Sequence, residues 1–226
     1  MIKDFVIISS LIIIHECGHF FCAKLIGFQT DKIYLYPLGG ISKFHMPIST
    51  ERKKEFLVLI MGPIFQNVAY VLLMILLKEK ELITNYHIGI LCFNLLPIVP
   101  LDGGKILNIL TSSIVPYQLA LKISVIISYL ATIILLLIQK KISINMILMY
   151  VILIILIRKE EGKEKRLFDQ FLLERYLHKY HFKKDILIQK EKDFYRYKNN
   201  KIKSCGTILS EEEYLQKKYN NFDKNC

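Results

Sequence analysis

Five apolar runs occupy most of residues 5–157, at roughly 5–27, 55–77, 86–110, 118–139 and 142–157. A chain patterned this way has few ways to fold. The runs are long enough, or nearly so, to cross the roughly 30 Å hydrocarbon core of a bilayer as helices. A spanning segment must satisfy its own backbone hydrogen bonds, which a helix does. The last run has only 16 residues. Lys140 and Lys141 stand at its start, placed to snorkel and make up the length.

The third run cannot be one straight helix. Pro97, Pro100, Gly103 and Gly104 interrupt it within "NLLPIVPLDGGK", where proline removes a backbone donor and breaks the ladder. Irregular backbone at membrane depth is tolerated where protein or trapped water satisfies it. This run is therefore expected to lie among the others and to line a polar cavity. Between the first two runs, "KIYLYPLGGISKFHMP" (32–47) alternates apolar and polar residues around Pro-Leu-Gly-Gly. It reads as a β-hairpin or extended loop at the membrane edge.

Charge is partitioned as sharply as apolarity. Of 31 Lys and Arg and 20 Asp and Glu, 18 and 12 fall in the last 69 residues, which hold +6 of the net +11. The chain thus reads as a transmembrane domain, 1–157, and a basic cytosolic tail domain, 158–226. In the tail, "RLFDQFLLERYL" has the pattern of an amphipathic helix. "ILIQK", "DFYRYK" and "KIKSCG" read as short strands, and Ser210 and Glu213 are spaced as a capping box. The expected fold is mainly α: a polytopic membrane protein with about five transmembrane helices, a membrane-edge β-hairpin and a small α+β cytosolic tail.

Five cysteines without a CxxC pair argue against a disulfide framework and for a reducing location of the tail. The first run is not read as a signal peptide, because it carries a polar block and lacks a small-residue cleavage site. Five basic residues in 28–54 and the basic tail fall on the same side of five spans, which reads as cytosolic. The tail could meet anionic lipid headgroups, grip an acidic substrate, or be a solvated face. It shows no aromatic platform or known module for nucleic acid, so no nucleic-acid partner is expected.

The chemistry lies in "IIIHECGHFF" (12–21). His15 and His19 are spaced i, i+4, so on a helix both imidazoles share one face and can reach one metal. Glu16 sits beside them, placed to act on water. In zinc hydrolases the metal brings the pKa of water to about 7 and a glutamate takes its proton. Ionisable groups are expensive inside a membrane and so point to function. A buried His–Glu network between helices is the alternative, but it would not need this spacing. A catalytic zinc wants a third protein ligand. Among the acids before residue 158, Glu16 apart, Asp102 alone lies well inside an apolar run. Depth along the first and third runs puts it level with the histidines. It is either that ligand or an N-cap on a half-helix starting at Gly103. A zinc carrier should show repeated segments and more midplane polar residues, and neither is present.

HECGH followed by "NLLPIVPLDGG" resembles the site-2 protease class of intramembrane zinc metalloproteases, whose pattern pairs HExxH on one helix with an Asn/Pro…Asp-Gly motif on another. "GPIFQN", with Gly62, Pro63 and Asn67, resembles a further element of that class. The likeness covers about residues 8–135. It implies Zn2+ held by His15, His19 and Asp102, Glu16 as general base, and Asn94 as a polar group near the site. Asn94 either hydrogen-bonds substrate or oxyanion, or ties two helices together. A substrate would unwind and dock as a strand beside the "YPLGG" hairpin, where Gly39 and Gly40 either allow close backbone approach or make an ordinary turn. "LYPLGG", "LLPIVPLDGGKIL" and "FLLERYL" resemble the stage IV sporulation protein FB branch. That likeness implies a multi-pass protein of the bacterial cell membrane with its active site toward the cytosol. Its substrate would be a membrane-associated pro-sigma factor, and membrane regulatory proteins would be partners. The 69-residue tail is short for the nucleotide-sensing domain carried by the best-known members of that branch.

Overall fold

The structure is a computed structural model that describes residues 2–36, 39–139, 143–204 and 207–223. The Pro37-Leu38 turn, Lys140 and Lys141 lie outside the described residues. The elements run α1 (Ile2–Leu25), β1 (Gln29–Tyr36), β2 (Gly39–His45), α2 (Arg52–Leu76), α3 (Lys80–Asn94), α4 (Asp102–Ile114), α5 (Tyr117–Ile138), α6 (Ile144–Glu161), α7 (Glu164–Leu177), β3 (Asp185–Ile188), β4 (Asn199–Ser204), β5 (Thr207–Ser210) and α8 (Glu211–Asp223). Among the described residues, three helices are long and apolar enough to cross a membrane: Lys3–Leu25 of α1, α2 and α5. Their outward faces carry Phe5, Val71, Leu72, Leu130 and Ile133, all exposed, as a lipid-facing surface requires. The third apolar run is divided as expected. It forms α3 and α4, with the irregular stretch 95–101 between them.

The chain separates into two compact units. The first comprises 1–46, 50–96 and 101–103. Its centre is α1 packed along α2 and α3, around the buried Ile7, Leu11, Ala69 and Ile83. The expected hairpin is present: β1 and β2 pair antiparallel, with Leu35 opposite Gly40 and Tyr36 opposite Gly39. It packs on α1. The return into α4 is tight. A Cβ on Gly103 would overlap the Leu95 and Leu96 carbonyl oxygens, so a glycine is required there.

The second unit comprises 47–49, 97–100 and 104–226. Its core gathers Phe168, Phe171 and Leu172 of α7 with Tyr117, Ile188, Phe194, Ile202 and Leu215. β3 pairs parallel to β4, and β4 pairs antiparallel to β5. The amphipathic helix of the tail is α7. The capping box also forms: the Ser210 N–H donates to Glu213 Oε2 at 2.8 Å, and the Glu213 N–H donates to Ser210 Oγ at 3.3 Å. One expected strand is absent. "DFYRYK" (193–198) leaves a short 3-10 turn, Glu191–Asp193, and runs on irregularly. Its carbonyls have other partners. Phe194 O accepts from the Tyr117 N–H at 2.8 Å, and Arg196 O accepts from Arg175 Nη2 at 2.7 Å. Phe194 itself is fully buried, so the alternation in this stretch follows core insertion and not a sheet.

Candidate metal centre

His15 and His19 lie one turn apart on α1 and are 1% and 4% exposed. Their Nε2 atoms approach to 3.1 Å. Asp102 opens α4, and its Oδ2 stands 3.0 Å from His15 Nε2 and 2.9 Å from His19 Nε2. Three residues spread over 87 positions of the sequence thus bring one atom each within about 3 Å of the others, and they form a group that could hold a metal ion.

The far edges of the rings decide what those atoms are. His19 Nδ1 lies 2.9 Å from the Val58 carbonyl oxygen, which can only accept, so Nδ1 carries a proton. His15 Nδ1 lies 2.9 Å from Gln66 Oε1, and it too donates. Neutral rings of this tautomer present Nε2 lone pairs to each other and to the Asp102 carboxylate. Such a set repels itself at 3 Å. An added proton or a cation reverses the sign, and two imidazole nitrogens with a carboxylate oxygen are ligands that a divalent transition metal accepts. The residues present therefore fit a metal. Glycine at 62 makes room for the arrangement. A Cβ there would overlap the His19 ring and come within 2.9 Å of His15 Nε2.

The other predicted residues stand on various elements. Glu16 follows His15 on α1 and is half-buried. Asn94 ends α3, half-buried, and Gly39 and Gly40 open β2. In the Gly-Pro element, the Asn67 side chain serves its own helix, with Nδ2 donating to Pro63 O at 2.8 Å. The residue of this element that reaches His15 is Gln66, which sequence reasoning passed over. A signal for it existed: Gln66 is one helical turn from Gly62, so both share a face of α2.

Residues 4–82 match Peptidase family M50, a span that holds both histidines, Glu16 and Gly62. The chain is 37% identical over 117 residues to stage IV sporulation protein FB of Bacillus subtilis (strain 168), covering 49% of this chain and 41% of the relative. It is 29% identical over 130 residues to a zinc metalloprotease of Methanocaldococcus jannaschii, covering 53% of this chain and 38% of that one. It spans about two fifths of the length of these curated relatives. The solved structure of the site-2 protease from Methanocaldococcus jannaschii matches with a TM-score of 0.56 and 26% identity, over 69% of this chain and 76% of that one. Over residues 4–82 in sequence, and over 69% of the chain in fold, the chain is similar to the site-2 proteases and to peptidase family M50.

Proposed function

We propose that this chain is an intramembrane zinc metalloprotease that hydrolyses a peptide bond in or near the bilayer. His15, His19 and Asp102 are its zinc ligands and Glu16 its general base. The observation that carries this reading is the convergence of His15 Nε2, His19 Nε2 and Asp102 Oδ2 within about 3 Å. Three protein ligands with one open position is the pattern of a catalytic zinc, and a purely structural zinc usually has four. Bound there, zinc supplies Lewis-acid polarisation of the scissile carbonyl and acidifies water. The Glu16 carboxylate takes a proton from the attacking water and delivers it to the leaving amide nitrogen. The substrate is held extended along the β1–β2 hairpin, with Gly39 and Gly40 permitting close backbone approach and Asn94 hydrogen-bonding it or the oxyanion.

The likeness to stage IV sporulation protein FB supports a membrane-associated pro-sigma factor as substrate, cut during sporulation. It also supports a multi-pass place in a bacterial cell membrane and membrane regulatory proteins as partners. We place the active site toward the cytosol, the side to which the Lys and Arg distribution assigns the 158–226 tail domain. The tail contacts anionic headgroups and substrate. The test is co-expression with a membrane-tethered pro-sigma precursor, comparing the parent with Glu16→Gln and measuring zinc in both. Processing by the parent alone, with zinc retained in the variant, is the expected result. Equal processing by both would remove Glu16 as base.

A further inference from the structure

His15 and His19 are supported on their outer nitrogens in different ways, and the difference has a chemical purpose. His19 leans on a backbone carbonyl, that of Val58. His15 leans on a side chain, Gln66, which is fully buried in α2. A buried amide in an apolar helix is costly unless its hydrogen-bonding groups are satisfied. Here they are. Oε1 faces His15 Nδ1 at 2.9 Å, and Nε2 donates to the His87 carbonyl oxygen at 3.0 Å and approaches His87 Nδ1 at 3.3 Å.

The His87 carbonyl fixes which way the amide points. Rotating the amide by half a turn would set Oε1 against that carbonyl, acceptor to acceptor, at 3.0 Å. Gln66 must therefore offer its oxygen to His15, and His15 must carry its proton on Nδ1. In the neutral ring, Nε2 is then the lone-pair nitrogen, and it is the one that faces Asp102 and His19. His87 is held in turn. It is buried, and its ring stacks on Tyr70 at 4.3 Å between centroids and 15° between planes. Tyr70 lies on α2 one turn beyond Gln66, and its hydroxyl meets Thr84 Oγ1 of α3 at 3.3 Å. The chain of contacts runs from α3 through α2 to the ring on α1.

We propose that Gln66, set by His87, is a positioning residue that locks His15 into the Nδ1-protonated tautomer and ring orientation needed to bind metal through Nε2. This rests on the assignment of His15 as a zinc ligand. A neutral amide suits the place. Ligand histidines commonly donate their other nitrogen to a carboxylate, a carbonyl or water. An amide oxygen accepts the hydrogen bond from His15 Nδ1 as a carboxylate would, without adding a second anion to the group.

Zinc affinity, measured on the purified full chain by competition with a chelator, tests the proposal directly. Gln66→Met keeps the bulk and removes the acceptor; it should weaken zinc binding roughly 10–100-fold. Gln66→Glu returns an acceptor to the His15 Nδ1 proton but sets its second oxygen against the His87 carbonyl, so it should recover only part of that loss. Parent-like affinity in Gln66→Met, with only thermal stability lowered, would reduce Gln66 to packing and overturn the proposal. The unsubstituted chain offers a second readout that needs no variant to fold. Nitrogen-15 spectra of labelled histidine should show His15 protonated on Nδ1, and protonation on Nε2 would overturn the proposal. A His15→Ala chain that binds zinc as tightly as the parent would remove the ligand assignment first, and the proposal with it.

Discussion

Two of the places where the molecule buries charge or its equivalent treat it in opposite ways. In the first unit, two imidazole nitrogens and a carboxylate oxygen converge within about 3 Å. In the second, Arg175 of α7 is a buried cation surrounded by acceptors. It ion-pairs with Glu211 at 3.2 Å, donates from Nε to Ser49 Oγ at 3.1 Å, and donates from Nη2 to the Tyr195 and Arg196 carbonyls at 3.4 and 2.7 Å. Aromatic faces close around it, with Phe182 at 4.5 Å and Phe171 at 5.3 Å. Burial lowers the Arg175 pKa from its usual value, and Glu211 and Glu174 oppose that shift. A buried charge that arrives with its counter-groups holds a fold together. A buried set of acceptors that calls for a cation belongs to a site.

If that distinction holds, substitutions in the two places should fail differently. The largest effect belongs to the acceptor set. Asp102→Ala should lose zinc by more than the roughly 10–100-fold that a supporting partner carries and abolish cleavage, while the tail core stays folded. Elemental analysis and a tail-specific fluorescence or exchange probe would separate the two. Arg175→Ala should do the reverse. Removing one partner of a buried pair costs about 3–5 kcal/mol because the other is left uncompensated. Thermal melts should register that loss with zinc content per folded chain unchanged. Unchanged melting would mean that Arg175 is not structural.

Smaller effects sharpen the same contrast in the tail. Tyr180 is pushed up to about 12 by burial first and then by its hydrogen bond to Glu174. A group whose pKa is raised on folding contributes stability that is complete below its unfolded value and is lost as pH rises through the folded one. Tail stability should therefore fall between about pH 10 and 12, and Tyr180→Phe should blunt the fall. An unaltered profile in that variant would put the pH sensitivity elsewhere, for instance at Tyr214, which burial and Glu191 also push up to about 12. Ser210→Ala removes half of the capping box and should cost about 1 kcal/mol, visible only in the melting of the tail.

The residues that converge in the candidate site were largely legible in the sequence. The i, i+4 spacing needs only helix geometry, and Asp102 stands out because an acid inside an apolar run has little other reason to be there. The break between α3 and α4 follows from Pro97 and Pro100, whose backbone limits are local, whereas Gly103 and Gly104 lie inside the first turn of α4. The spacing put Gln66 on one face of α2 with Gly62, but that this face meets His15 was not legible. Which face of α2 meets α1 is decided by packing, through Gly62 and Gly18, and not by α2 alone. The stretch 193–198 misled for a related reason. Its alternation is real, but Tyr117 and Arg175, 77 and 21 positions away from the groups they bond, take the carbonyls that a strand would have used. Local pattern reports what a segment could pair with. Distant residues decide what it does pair with.

The most direct test is the zinc K-edge X-ray absorption spectrum of the purified full chain. The account predicts two imidazole nitrogens at about 2.0–2.1 Å and carboxylate or water oxygens, with no sulfur. Cys17 and Cys22 lie on the same helix as the histidines and are free thiols. A sulfur shell at about 2.3 Å, or bound zinc with no imidazole scattering, would contradict the assignment of His15, His19 and Asp102 as the metal centre.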